Sequence, residues 1–391
     1  MKLAETLQKL TDQFAKFKAL RFPTGMGRTK RKGFRDGRLS ERKLRASNPG
    51  RLRMLTYLPA NLPDAPALVV VLHGGLQTAA YDLGAGWSTL ADRYGIALLM
   101  PEQQRSNNAL NCFNWFLPED SERGKGEALS ISQMIKQMRL DHGIDPSRIF
   151  ITGLSAGGAM TSVMLATYPE VFAGGAIIAG LPYGAAATVQ EAFHVMAQAQ
   201  VRSSRTWGDR VRQASPHQGP WPKVSVWHGS ADETVSVSNA DEIIKQWTDL
   251  HGLSLRPTVA DIVDGIPRHV WSDAQGEVLI ESYTVTGMGH GTPLATGHGD
   301  QRCGAVGPYL LEAGISSSYH IAKFFGVADT VRNTANAHRG VSLRLFGSNT
   351  RERTAHRSAA EAEGTGKRGA AVDIAAVIAK ALTAAGLMKP Q

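Results

Sequence analysis

Arg148-Ile149-Phe150-Ile151-Thr152-Gly153-Leu154-Ser155-Ala156-Gly157-Gly158-Ala159-Met160 is the stretch that decides the fold. An apolar, β-branched run ends at Gly153, a serine sits between two glycines, and a small-residue segment continues through Thr161-Ser162-Val163-Met164. That order is strand, sharp turn and helix, the pattern of a nucleophile elbow. Such a turn forces Ser155 into a strained backbone conformation and requires Gly153 and Gly157, because side chains there would collide with the neighbouring strand or helix. Glycine and alanine are abundant in this chain, so the pentapeptide needs its context before it carries chemistry.

A serine hydroxyl becomes a competent nucleophile when a histidine takes its proton and a carboxylate fixes that histidine's tautomer. On an elbow of this kind the partners follow in the order Ser, Asp or Glu, His, each on a loop after a strand. Val224-Ser225-Val226-Trp227-His228-Gly229-Ser230-Ala231-Asp232 reads as a strand entering a turn, which makes Asp232 the candidate acid, with adjacent Glu233 as its rival. Glu277 to Val285 reads as a strand leading into Gly287-Met288-Gly289-His290-Gly291, which makes His290 the candidate base. His228 is close enough to Asp232 to compete for that role, but its place before the acid breaks the order, and it reads as a loop-packing residue.

Acyl transfer also needs donors for an oxyanion. The run Ala67 to Leu72 ends at His73-Gly74-Gly75-Leu76-Gln77, where the backbone of Gly74 or Gly75 supplies one N–H and Ala156, the residue after the nucleophile, supplies the second. Further apolar runs at Ile96–Met100, Ala176–Ala179 and Val224–Trp227 alternate with helical stretches at Ser130–Leu140 and Ala240–Leu250. This alternation implies an α/β fold with a doubly wound, mostly parallel sheet and flanking helices, and the elbow with its Ser, Asp, His order makes it an α/β-hydrolase. Pro267–Trp271 and Glu277–Tyr283 form an expected late hairpin before the histidine loop. Trp115, Tyr183 and Trp227 are candidates for lining a substrate pocket, with packing in the core as their competing role. Ala185–Pro222 lies where hydrolases insert a cap, and both a cap and a plain connecting helix pair remain open for it.

Together these residues resemble a known family, the esterases related to extracellular poly(3-hydroxybutyrate) depolymerases with a type 1 catalytic domain. The resemblance spans roughly Leu52 to Val327. It is carried by Leu72-His73-Gly74-Gly75-Leu76-Gln77-Thr78, Pro101-Glu102-Gln103, Cys112-Phe113-Asn114-Trp115-Phe116, Gly153 to Met160, Trp227 to Asp232, Gly287-Met288-Gly289-His290 and the closing segment Ala313 to Phe325. The oxyanion segment precedes the lipase box, as in type 1 enzymes. The family's usual loop reads His-Gly-Cys, and Gly75 stands at the third place here, which keeps a backbone donor but removes the cysteine side chain. The resemblance implies a serine esterase for short hydroxyacyl esters, most plausibly poly- or oligo(3-hydroxybutyrate), acting without a cofactor. The superfamily also includes feruloyl and acetylxylan esterases, which form the enzymatic alternative. A granule- or surface-binding protein is the non-enzymatic one.

The 391 residues carry a net charge of +9. The excess is local: between Arg21 and Arg53 a dense run of arginine and lysine stands against only Asp36 and Glu41. This gives a basic extension over residues 1–51, a catalytic domain over 52–330 and a polar linker with a short amphipathic helix over 331–391. Such an arm, lacking apolar periodicity, reads as a surface-laid or disordered extension, so no nucleic acid partner is expected. Weak contact of the tails with a granule or membrane surface is the functional alternative for them. Met1–Phe17 is amphipathic and lacks the apolar core of a secretory signal, in tension with the extracellular habit of the family, and the compartment stays open. Cys112 and Cys303, the two cysteines, could pair if the protein is exported. No metal-ligand spacing, phosphate loop or dinucleotide fingerprint is present. Oligomeric state is not encoded in any of these features.

Overall fold

Strands buried on both faces carry continuous apolar sequence, and the central strands of this protein do so. The computed structural model describes residues 39–328. The amphipathic segment Met1–Phe17, most of the basic arm, the polar linker and the C-terminal helix expected from the sequence lie outside the described residues.

Ten strands form one sheet in the order β1-β2-β4-β3-β5-β6-β7-β10-β9-β8. Its centre is β4 (Ala97–Glu102), β3 (Leu68–Leu72), β5 (Ile149–Leu154), β6 (Gly174–Ile178), β7 (Lys223–Gly229) and β10 (Val278–Val285), all mutually parallel. Antiparallel pairs close both ends: β1 (Leu39–Arg42) and β2 (Arg53–Tyr57) at one, β9 (Ile266–Ser272) and β8 (Val259–Val263) at the other. Side chains alternate between two cores, because successive residues of a strand face opposite ways. Leu68, Val70, Leu72, Ile149 and Ile151 enter one cluster; Val69, Val71, Leu98 and Phe150 enter the other.

Helices cover both faces. On the first lie α4 (Gly126–His142), α5 (Ala156–Thr167), α6 (Val189–Ala197), α7 (Ser204–Ala214) and α8 (Ser238–His251); on the second lie α2 (Trp87–Tyr94) and α9 (Ser317–Phe324). The short helices α1 (Ala80–Gly84) and α3 (Pro118–Ser121) are the remaining α-helices among the described residues. The molecule is therefore a doubly wound α/β-hydrolase, the sheet that the strand and helix alternation implied and the fold that the elbow and its motif order implied. Among the described residues no helix is long and apolar enough to cross a membrane.

Three particulars differ from the sequence or go beyond it. Leu39–Arg42, inside the stretch assigned to the basic arm, is an edge strand paired with β2, so the folded unit reaches back before Leu52. The segment from Ala185 to Pro222 is a connecting helix pair: Ala192, Val195, Trp207 and Val211 are buried in the same cluster as Ile243 and Trp247 of α8, and Trp207 Nε1 donates to Glu242 Oε2 at 2.6 Å. Cys112 and Cys303 are both unpaired, and they belong to different faces of the sheet.

Candidate active site

Parallel strands deliver their carboxyl ends to one edge of the sheet, and ligands bind along that edge in open α/β folds. The loops after β3, β5, β7 and β10 carry, in turn, the candidate oxyanion segment His73–Gln77 and the candidate residues Ser155, Asp232 and His290.

At the end of β5, Ser155 has φ 58° and ψ −118°, the strained geometry that its sequence demands. A Cβ on Gly153 would come 2.4 Å from Gly157 O, and one on Gly157 would come 2.2 Å from Leu72 O, so the turn closes only with glycine at both places. Ser155 N donates to Ile178 O at 2.9 Å, which ties the elbow to the end of β6. The serine itself is half-buried.

After β7, Asp232 is buried and its Oδ1 accepts from Thr234 N at 2.8 Å and Val235 N at 2.9 Å. Its Oδ2 accepts from His290 Nδ1 at 2.7 Å. Burial pulls the Asp232 carboxyl toward neutrality, but hydrogen bonds from His228 and His290 outweigh it and hold the pKa well below the usual carboxylate range. The acid turn and the histidine loop are stitched together: Ser230 N donates to Val285 O, Gly287 N to Ser230 Oγ and Ala231 N to Met288 O. Gly229 is needed for that approach, since a Cβ there would lie 2.2 Å from Met288 O.

The rivals are placed elsewhere. Glu233 is exposed. His228 is 1% exposed, donates through Nε2 to Val235 O at 2.9 Å, and lies 3.3 Å from Asp232 Oδ2, while among the described residues its Nδ1 has no hydrogen-bond partner. A buried ring committed to a carbonyl braces the turn, the loop-packing role that its sequence position suggested.

The loop after β3 is shaped by His73. Its Nε2 accepts from Gln103 N at 3.0 Å, so Nδ1 bears the hydrogen and donates to Gly74 O at 2.8 Å. Full burial lowers its pKa and keeps the ring neutral. Carbonyl and N–H of one trans peptide point in opposite directions, so clamping Gly74 O on one side aims the Gly75 N–H to the other. Gly74 N is already occupied by Gln77 Oε1 at 2.7 Å. Of the two glycines, Gly75 is thus the one whose donor stays open, and among the described residues neither it nor Ala156 N has a hydrogen-bonded acceptor.

Behind this loop lies a buried polar network that the sequence did not reveal. Glu127, in the first turn of α4, is 1% exposed and accepts from Gln103 Nε2, Asn114 N and Asn114 Nδ2. Desolvation, with nearby Asp120 adding to it, pushes its carboxyl up to about 8. Gln103 in turn reaches His73 through its backbone, and Leu110 O receives Leu76 N from the oxyanion loop. Cys112 packs against Gly75, where an added Cβ would fall 2.5 Å from its sulfur, and burial pushes its thiol up to about 12.

The three aromatic candidates separate. Trp115 is 7% exposed and shares an apolar cluster with Ala156, and Tyr183 packs on the same cluster with its backbone held by Gln246. Trp227 packs in the core instead: it is fully buried on the opposite face, stacked on Tyr283 at 3.7 Å, with Nε1 bonded to Ser225 Oγ. Its position on β7, two residues before the strand ends, points it into the second core. Tyr309, unremarked in the sequence, stands edge-to-face against the His290 ring at 6.0 Å and 78°. Among the described residues no group of three or more His, Cys, Asp or Glu gathers to hold a metal ion.

Residues 53–260 match the model of a family described as esterase PHB depolymerase. The chain belongs to that family. It is a carboxylic ester hydrolase. It is 48% identical over 282 residues to poly(3-hydroxyalkanoate) depolymerase C of Paucimonas lemoignei, covering 72% of this chain and 68% of that protein. It is 32% identical over 265 residues to an acetylxylan esterase of Coprinopsis cinerea, covering 66% and 70% respectively. The solved acetyl xylan esterase from Aspergillus awamori shares the fold, with a TM-score of 0.63 at 24% identity over 74% of this chain and 99% of that one.

Proposed function

We propose that this family member hydrolyses short-chain hydroxyacyl esters, with poly- or oligo(3-hydroxybutyrate) as its substrate class, through Ser155, His290 and Asp232. The observation that carries the catalytic assignment is the 2.7 Å hydrogen bond from His290 Nδ1 to buried Asp232, on the sheet edge where the Ser155 elbow emerges. The 48% identity to a protein named for poly(3-hydroxyalkanoate) supports the substrate class.

In this reading His290 Nε2 takes the Ser155 hydroxyl proton as Oγ attacks the ester carbonyl. The N–H groups of Gly75 and Ala156 receive the oxyanion, aimed beforehand by the His73 clamp and the helix start. Collapse of the intermediate breaks the ester C–O bond, and His290 gives its proton to the departing alkoxide. Water, deprotonated by the same histidine, then releases the acid and restores the serine.

Asp232→Asn is expected to lower turnover by roughly ten-thousand-fold. The amide oxygen would keep the Thr234 and Val235 N–H donors, leaving the NH₂ group facing His290. That forces Nδ1 to accept and Nε2 to carry the hydrogen, the tautomer unable to take the serine proton. A drop of less than tenfold in steady-state kinetics on a soluble ester would remove Asp232 from the mechanism.

The substrate class is tested by kcat/KM on 3-hydroxybutyrate dimers and trimers against methyl ferulate and acetylated xylan. Preference for the hydroxybutyrate oligomers is expected. A preference for ferulate or acetylxylan would transfer the protein to the carbohydrate esterases, the activity named for several relatives at 31–33% identity.

A further inference from the structure

We infer that Tyr309 selects the alcohol side of the ester. The inference rests on His290 being the group that protonates the leaving alkoxide.

Tyr309 precedes β12 (Leu310–Glu312), which pairs in parallel with β11 (Thr292–Leu294), the short strand that follows the histidine loop. Its carbonyl accepts from Thr292 N at 2.8 Å, and a Cβ on Gly291 would lie 2.9 Å from that same oxygen. The residue after His290 is thus pressed against the Tyr309 backbone. At that point Tyr309 has φ 62°, a left-handed conformation that a bulky side chain rarely adopts. Strain of this kind persists only where the surrounding structure over-determines it, and the backbone held in this way carries a phenol ring that stands edge-to-face against the His290 imidazole at 6.0 Å. The ring is half-buried, and among the described residues its hydroxyl makes no hydrogen bond. Burial lifts its ionisation. Tyr309 therefore borders the site on the histidine side.

The chemistry gives this position its meaning. When the tetrahedral intermediate collapses, the C–O bond to the alcohol breaks and the proton on His290 moves to that oxygen. The alkoxide oxygen must then lie beside His290, and the alcohol's carbon chain must leave through the space that adjoins the imidazole. The acyl group stays bonded to Ser155 and is unaffected by what borders that exit. For a polyester the alcohol portion is the remainder of the chain, and it would pass over the phenol with its ester oxygens in reach of the hydroxyl.

The test uses two ester series on the full-length protein. One holds the acyl group as 3-hydroxybutyryl and varies the alcohol from methyl through benzyl to a second 3-hydroxybutyrate unit; the other holds p-nitrophenol and varies the acyl chain from acetyl to hexanoyl. Tyr309→Asn is the main variant, because asparagine tolerates the left-handed backbone and the change relieves strain there. Thermal unfolding checks that it folds. It is expected to shrink the discrimination among alcohols in kcat/KM by about tenfold, while the ratios within the acyl series stay within about twofold of wild type. Tyr309→Phe is expected to lose rate on the hydroxybutyrate dimer more than on the benzyl ester, since only the dimer offers oxygens to the phenol. Uniform losses across both series, or an altered acyl preference with unchanged alcohol preference, would overturn the inference. Ser155→Ala in the same panel separates the two readings: inert on every ester, it leaves a uniform Tyr309 result to count against Tyr309 alone, whereas an active Ser155→Ala overturns the serine mechanism itself.

Discussion

Ser155→Ala is expected to lower ester hydrolysis about a million-fold while the fold remains intact. The size follows from the covalent route: without Oγ no acyl-enzyme forms, and what remains is the modest acceleration that the oxyanion donors give to direct attack by water. Retention of the fold follows from the turn. The backbone strain at φ 58° is borne equally by serine and alanine, the residue is half-buried, and the hydroxyl makes no hydrogen bond among the described residues, so nothing structural is lost with it. The measurement is turnover of a soluble butyrate ester alongside thermal unfolding of the purified variant. Near-normal turnover with an unchanged unfolding temperature would show that the serine elbow is not where the ester is cleaved.

Much of this architecture could be read from the chain because the central strands are buried on both faces. Val69-Val70-Val71 and Phe150-Ile151 have no polar side to present, so they appear as unbroken apolar runs, and each ends in a glycine-rich turn at the candidate site. The turns around the candidate site could be read for a related reason. Gly153, Gly157 and Gly229 are fixed by backbone approaches of 2.2–2.4 Å at a would-be Cβ, and constraints that severe leave a residue pattern behind.

What stayed hidden depends on contacts distant in sequence. The edge strand β8 is mostly exposed and so lacks the apolar alternation that marks a strand, while β1 is held by pairing with β2 rather than by its own composition. Glu127 reads as an ordinary acidic residue in a helix's first turn; only the fold brings Gln103 and Asn114 to it. The choice of Gly75 over Gly74 needed a side chain, Gln77, whose carboxamide occupies one of two equivalent-looking donors. Trp227 was ambiguous because a strand residue's face depends on register near the turn, and its register with Tyr283 of β10 sends it into the second core. Tyr309 follows a Gly-Pro pair with no motif around it, and its left-handed backbone and proximity to His290 are tertiary facts.

His290→Ala and His228→Ala are expected to part ways although both rings approach the same carboxylate. Loss of His290 removes the proton carrier for both halves of the reaction, and the drop in kcat should match that of the serine variant, about a million-fold, with the double variant scarcely worse than either alone. Loss of His228 touches a ring that is 1% exposed, 3.3 Å from Asp232 Oδ2 and committed to Val235 O. Its removal leaves that carbonyl without its donor inside the turn, a stability cost of about 1–3 kcal/mol. Asp232 loses its contact with His228 but keeps its two backbone donors and the shorter bond to His290, so the proposed Asp232–His290 pair survives. The expected signature is a lowered unfolding temperature with turnover per folded molecule far above that of His290→Ala. The reverse ranking would mean that the imidazole before the acid, rather than the one after β10, serves the nucleophile, and the site would have to be rebuilt around His228.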